Sequence, residues 1–90
     1  MPHLRNIREE HLFSAELQDL IPNGRESDEV LEAALIWFSH RADSGEVIPG
    51  TQMHYKVVAD FQRNRYLIIF YTMDDKKVYL QSVKPFDIPA

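Results

Sequence analysis

The spacing of the apolar residues changes at Gly50, and no other feature of the sequence constrains the fold as strongly. Before Gly50, apolar residues recur every three or four positions, as on one face of a helix. After Gly50 they alternate or run together, as in strands. Helical segments followed by strand segments predict an α+β domain, in which two N-terminal helices pack on one face of an antiparallel sheet. The 90 residues suit a single domain that spans residues 1–90.

Two helices are predicted before Gly50. The first extends from about Ile7 to Leu20, with Asn6 as its N-cap and Glu9 completing a capping box. A Pro-Asn-Gly turn ends it. The second helix has Ser27 as its N-cap, and its broad apolar stripe is typical of a helix that is covered on more than one side or that offers a surface to a partner. That stripe consists of Val30, Leu31, Ala34, Leu35, Trp37 and Phe38.

Three strands are predicted after Gly50. Residues 65–73 are apolar on both faces, which indicates a central strand. Residues 76–83 form the next strand, and the short turns between neighbours make the strands antiparallel. Residues 51–61 alternate, which predicts a half-buried strand. Its apolar side consists of Met53, Tyr55, Val57, Ala59 and Phe61.

The two ends of the chain are predicted to lie outside this meander of three strands. Residues 1–6 form an arm or an added edge strand, which gives a sheet of three or four strands. Residues 84–90 contain two prolines and form a tail that cannot add a central strand.

The charges are unevenly distributed along the chain, although the formal net charge is only −4. Four basic and ten acidic residues precede residue 51, whereas six basic and four acidic residues follow residue 50. This asymmetry predicts a polarised particle, while the acidic total argues against nucleic-acid binding by the whole surface. The alternative explanation is that helices favour glutamate and that sheet edges favour lysine.

Several classes of site are excluded by composition. The sequence has no cysteine, which rules out disulfides, thiolate catalysis and cysteine metal sites. Its four histidines do not have the spacing of metal ligands, and no serine lies in a nucleophile elbow. We therefore predict no metal and no cofactor, and identify no catalytic residue. No apolar run approaches the roughly 20 residues of a membrane span. We expect a cytoplasmic bacterial or viral protein that does not contact membranes.

Cationic and phenolic side chains gather on the predicted strands. A ribonuclease without metal needs cations to hold phosphate, an acid or base with a tuned pKa, and aromatic planes on which bases stack. The alternative is that tyrosines favour strands and that lysines protect sheet edges. The residues concerned are His54, Lys56, Arg63, Arg65, Lys77 and Lys84, interleaved with Tyr55, Tyr66, Tyr71 and Tyr79.

The second half of the chain resembles the sheet of RelE/ParE-type toxins. The resemblance lies in Tyr55-Lys56-Val57, in the run Arg65-Tyr66-Leu67-Ile68-Ile69-Phe70-Tyr71, in the Asp74-Asp75 turn and in Val78-Tyr79-Leu80. It implies a small toxin silenced by an antitoxin peptide, from a family in which one branch cleaves ribosome-bound messenger RNA and another poisons gyrase. It also implies that Lys56 and Arg65 are the basic strand residues of the family. At the end of the last strand, where the ribonuclease branch has His, Arg or Tyr, only Lys84 can substitute.

Two functions follow from the sequence. The first is a toxin-type module that acts mainly by binding a protein partner, either an antitoxin or a host target, with RNA as another partner and metal-independent RNA cleavage as the enzymatic option. The second is a non-enzymatic inhibitor, immunity or regulatory protein of a phage or mobile element, which docks through its acidic helical half. In that case Trp37 anchors an interface or a homodimer. The predicted binding residues are Lys56, Arg63, Arg65, Lys84, Tyr55 and Trp37.

Overall fold

The computed structural model describes residues 4–86 and has the predicted α+β architecture. Two short 3₁₀ turns, Ala42–Ser44 and Phe61–Arg63, interrupt the order of helices and strands. No helix in the described range is long and apolar enough to cross a membrane. The elements, in chain order, are β1 (Asn6–Glu9), α1 (His11–Leu20), α2 (Gly24–Arg41), β2 (Glu46–Val47), β3 (His54–Asp60), β4 (Arg65–Met73) and β5 (Lys77–Phe86).

The five strands form one sheet in the order β1-β5-β4-β3-β2. Strands β3, β4 and β5 are the predicted antiparallel meander, with β4 in the middle. The prediction of three or four antiparallel strands was wrong in two respects, because β2 and β1 extend the sheet to five strands and β1 is parallel to β5. The sheet is therefore mixed.

Strand β1 replaces what the sequence predicted to be the first turn of a helix. Ile7 lies opposite Val78 in β5, and the backbone N–H of Asn6 donates to the carbonyl of Lys76 at 2.9 Å. Asn6 is therefore not an N-cap, and α1 begins at His11 with no side-chain cap at its N-terminus. The physical reason is that β5 offers unpaired backbone groups, which outweigh a local helical preference. Of the predicted arm, residues 1–3 lie outside the described residues.

Helix α2 begins four residues earlier than predicted. The side-chain oxygen Oδ1 of Asn23 accepts hydrogen bonds from the backbone N–H groups of Arg25 at 3.0 Å and Glu26 at 3.2 Å. Asn23 is thus the N-cap, and the prediction of Ser27 was wrong. Ser27 lies inside the first turns and donates its hydroxyl to the carbonyl of Gly24 at 3.0 Å.

Both helices pack on the same face of the sheet. In β4, the side chains of Leu67, Ile69 and Tyr71 are fully buried and face the helices. Directly opposite residues of antiparallel neighbours share a face. The buried core consists of Phe13, Leu17, Ile21, Leu31, Ala34, Phe38, Ala42, Leu67, Ile69, Tyr71, Val78, Leu80 and Val83.

The two sides of β3 are reversed relative to the predicted half-buried strand. Val58 and Asp60 lie opposite Leu67 and Arg65, so the even-numbered residues face the helices. Asp60 has no exposed surface, whereas Phe61, from the predicted apolar side, is 86% exposed. Tyr55, Val57 and Ala59 therefore line the face that carries no helix, whereas Val58 faces the helices.

Strand β5 continues into the predicted tail, through Pro85 to Phe86. Proline is tolerated there because β1 ends opposite Leu80, which leaves the rest of β5 at the edge of the sheet. Beside it, the carboxylate of Glu16 in α1 accepts the outward N–H of Val83 at 3.4 Å. This edge has little capacity to pair with another strand. Residues 87–90 of the predicted tail lie outside the described residues.

Candidate functional site

Arg65 joins the sheet to the end of α1. Its Nε donates to Oδ2 of the buried Asp60 at 3.0 Å, and its Nη2 donates to the carbonyl of Leu20 at 3.0 Å. Leu20 is the last residue of α1, where the carbonyl groups lack intrahelical donors and carry the negative end of the helix dipole. The guanidinium group of Arg65 therefore stabilises a helix end and a buried carboxylate.

Arg63 makes the corresponding contact with α2. Its Nη2 donates to Oε2 of Glu26 at 2.7 Å, and its Nη1 lies 3.7 Å from Oδ1 of Asp60. The hydrogen bond that Arg63 donates to Glu26 raises the pKa of the Arg63 guanidinium above its ordinary value. Arg63 and Arg65 thus attach the connection between β3 and β4 to the ends of both helices.

Lys84 pairs with Glu16 at the edge of β5. Ser82 also donates its hydroxyl to Oε1 of Glu16, at 2.6 Å. Burial alone raises the pKa of the Glu16 carboxyl, but the hydrogen bonds from Lys84 and Ser82 outweigh burial and hold that pKa below its ordinary value. The charge of Lys84 is therefore matched by a carboxylate of its own chain.

Lys56 and Trp37 meet at the other side of the sheet. The ammonium nitrogen of Lys56 lies 4.8 Å from the centroid of the Trp37 ring, which is cation–π geometry. Trp37 also packs edge-on against Phe38 and Tyr71. Both predicted residues therefore belong to the boundary between α2 and β3, on the helical side of the sheet.

The structure does not bring the six predicted binding residues together. Arg63 and Arg65 lie at the β3–β4 connection, and Lys84 lies on β5, separated from β3 by the whole of β4. Tyr55 lies on the helix-free face of the sheet, opposite Phe70. Three of the four predicted cations pair with carboxylates of the same chain.

One face of the sheet carries no helix within residues 4–86, and we call it the open sheet face. In β4, alternation places Tyr66, Ile68 and Phe70 on this face, because Leu67 and Ile69 point to the helices. Tyr66 is 45% exposed, and its neighbours on the face are half-buried. On β3 and β4 the open sheet face consists of Tyr55, Val57, Ala59, Tyr66, Ile68 and Phe70, and on β5 it continues with Ser82, Lys84 and Phe86.

The β3 and β4 part of the open sheet face is aromatic and aliphatic, whereas β5 adds Ser82 and Lys84 at its margin. Buried interface cores are enriched in such side chains and depleted of charge. The sequence signal for it was present in β4, whose two apolar faces indicated a central strand. A strand with two apolar faces needs a second covering layer, and no element within residues 4–86 supplies one.

Comparisons with known proteins identify no relative, so a function has to be argued from the geometry of the site. No protein-family model matches the sequence, and none of the curated proteins compared with it matches either. Among residues 4–86, no three His, Asp or Glu side chains are grouped so that they could hold a metal ion.

Proposed function

We propose that the protein is a binding module of the RelE/ParE-toxin type, which recognises a protein partner through the open sheet face. The observation that carries this proposal is the aromatic surface around Tyr66, which no helix covers in the described part of the chain. A contiguous apolar surface of this kind is typical of a site for another protein.

The ion pairs favour binding over RNA cleavage. A metal-independent ribonuclease needs cations that are free to hold phosphate and to stabilise the transition state. Arg63, Arg65 and Lys84 are each engaged with a carboxylate of the chain itself. The same pairs occupy Glu16 and Glu26, which weakens the alternative that the helical half docks through its acidic side chains.

Inducible expression in bacteria tests the proposal. We expect the wild-type chain to inhibit growth and Tyr66→Glu to abolish the inhibition, because a carboxylate at the centre of an apolar interface is desolvated without a partner. Tyr66→Phe should keep the inhibition. The matched control is Leu12→Glu, which changes a 59% exposed side chain on α1 in the same way.

Thermal melts of the purified variants separate binding from folding. Tyr66→Glu and Leu12→Glu should both melt close to the wild type, because both side chains are well exposed. Replacing Tyr66 by a benzophenone amino acid should give one discrete cross-linked protein in cells, which the same replacement of Leu12 does not give. Growth inhibition by Tyr66→Glu equal to that of the wild type would show that the open sheet face is not the binding surface.

A further inference from the structure

Part of β3 is an open edge of the sheet. Strand β2 pairs only with His54 and Tyr55, and beyond them no strand within residues 4–86 lies against that side of β3. The N–H of Ile48 donates to the carbonyl of Met53 at 2.9 Å, so the odd-numbered residues of this segment direct their backbone groups to the β2 side. Val57 and Ala59 therefore present their N–H and C=O groups to the open edge. Such an edge is a template for another strand.

We propose that the occupant of this edge is a second copy of the chain, related by a two-fold axis that is perpendicular to the sheet and passes beside Val58. In that antiparallel register, Val57 of each copy lies opposite Ala59 of the other. The two residue pairs can exchange up to four backbone hydrogen bonds in the pattern of an antiparallel ladder. The helices of both copies then lie on the same face of one continuous sheet.

The surface next to the open edge is a shallow apolar groove between α2 and β3. Its volume is about 280 Å³, and Val30, Ala33 and Trp37 of α2 line it together with Val58 of β3. Two large apolar side chains flank the groove with most of their surface exposed, Phe61 at one end and Ile36, which is 69% exposed, on α2. A second copy would remove this surface from water.

The two-fold axis that pairs the β3 strands also brings helix α2 of one copy against helix α2 of the other. Ala33 lines the groove at the level of Val58, and it is a small residue that allows two helices to approach closely. With Ala33 at the two-fold axis, Val30 lies opposite Ile36 of the second copy and Glu29 lies opposite Trp37, because each pair is centred on residue 33. Packed helices cross at a separation of about 8–10 Å, which a small side chain at the contact favours.

The two ends of the groove carry a cation and a carboxylate. Lys56 lies over Trp37 at one end, and the exposed Glu29, which accepts a hydrogen bond from Gln62 at 2.8 Å and lies 3.7 Å from Nε of Arg25, is at the other end. A two-fold axis through the middle of the groove brings Lys56 of each copy to Glu29 of the other. The surface is therefore complementary to itself in backbone pairing, in apolar contact and in charge, and this is the reason for assigning a second copy to it.

Charge exchange between the two ends tests this pairing directly by sedimentation equilibrium over a concentration series. The wild-type chain should reach twice the 10.6 kDa of one copy. Lys56→Glu and Glu29→Lys should each raise the dimer Kd by at least about tenfold, because each places like charges at both symmetric contacts. An equimolar mixture of the two variants should dimerise again, since every contact then joins opposite charges.

Matched controls carry the same charge changes away from the groove. Lys76→Glu lies in the turn before β5 and Asp28→Lys lies on an exposed part of α2, and both should dimerise like the wild type. Tyr66→Glu should also remain dimeric, because edge pairing leaves the open sheet face uncovered, so the two proposals can fail separately. A monomeric wild type at the highest concentration, or a mixture that stays monomeric while both controls dimerise, would overturn the inference.

Discussion

Gly45 is the position at which a single methyl group should damage the fold most. An ideal Cβ on Gly45 would lie 1.8 Å from the hydroxyl oxygen of Tyr71, 3.0 Å from its Cζ and 3.2 Å from Cη2 of Trp37. The backbone of Gly45 has φ −72° and ψ 160°, which any residue can adopt. The requirement for glycine is therefore one of space and not of conformation.

The Tyr71 ring cannot move away from such a methyl group without displacing the aromatic rings that pack against it. It is fully buried, with the rings of Phe38 at 5.0 Å, His54 at 5.3 Å and Trp37 at 6.1 Å between centroids. Its hydroxyl also donates to the carbonyl of Ala42 at 2.5 Å. Gly45→Ala must break this hydrogen bond, at about 1–2 kcal/mol, and displace packed rings, at about 1–3 kcal/mol.

We therefore expect Gly45→Ala to lower the free energy of unfolding by about 2–5 kcal/mol, a large part of the total for a chain of this length. At about 4–8 °C per kcal/mol, the melting temperature should fall by at least roughly 10 °C. The assay is urea unfolding followed by circular dichroism and by the fluorescence of Trp37. Gly24→Ala is the matched control, because nothing lies within 4 Å of its added Cβ and the helix start gains about 0.4–1 kcal/mol.

A double-mutant cycle separates the clash from other effects. Tyr71→Phe removes the oxygen at 1.8 Å and leaves Cζ at 3.0 Å as the nearest ring atom, so Gly45→Ala should cost less in the Tyr71→Phe background than in the wild type. We expect a coupling energy of at least about 1 kcal/mol. An equal cost of Gly45→Ala in both backgrounds, or a cost below about 0.5 kcal/mol in the wild type, would refute the steric reasoning.

Three further predictions concern stability and use the same unfolding assay. Asn23→Ala should cost about 1 kcal/mol because two N–H groups lose their acceptor, whereas Ser27→Ala should cost less; equal costs would contradict the assigned cap. Asp60→Asn should cost about 3 kcal/mol by leaving the half-buried Arg65 without its anion, while Arg63 keeps Glu26, and a neutral effect would count against that network. Burial raises the pKa of Tyr71 from 10.0 to about 12, so its contribution should be complete below pH 10 and decline as the pH rises towards 12. Tyr71→Phe should remove that part of the alkaline slope, and an unchanged slope would contradict the assignment.

The local sequence was sufficient to predict an element where its local structural preference agrees with the tertiary structure. Strand β4 was predicted with its observed bounds, residues 65–73, because a run that is apolar on both faces has turn residues at each end. The first helix was predicted too long because Asn6–Glu9 pair as a strand with β5, some 70 residues away in the sequence. No local pattern contains that information, since the pairing is parallel and its partner is the last strand.

The orientation of β3 explains why the predicted binding residues do not coincide with the open sheet face. Alternation correctly separated Val57 from Val58, but it cannot tell which side the helices will cover. The sequence placed Asp60 among solvent-facing residues, yet Arg65 neutralises it inside the fold. Likewise, the predicted cations could not be recognised as ion-pair partners, because Lys84 finds its carboxylate on Glu16, 68 residues away.

The shielded segment of β5 beyond Leu80 restricts where a further strand can add to the sheet. A sheet that accepts new strands on both sides can grow without end, as cross-β fibrils do. Here the Val83 amide is already occupied by Glu16, and Pro85, two residues on, has no amide proton to offer. Beyond Leu80, β5 therefore offers few free amides to a neighbouring molecule, so high local concentrations should not add strands along this segment.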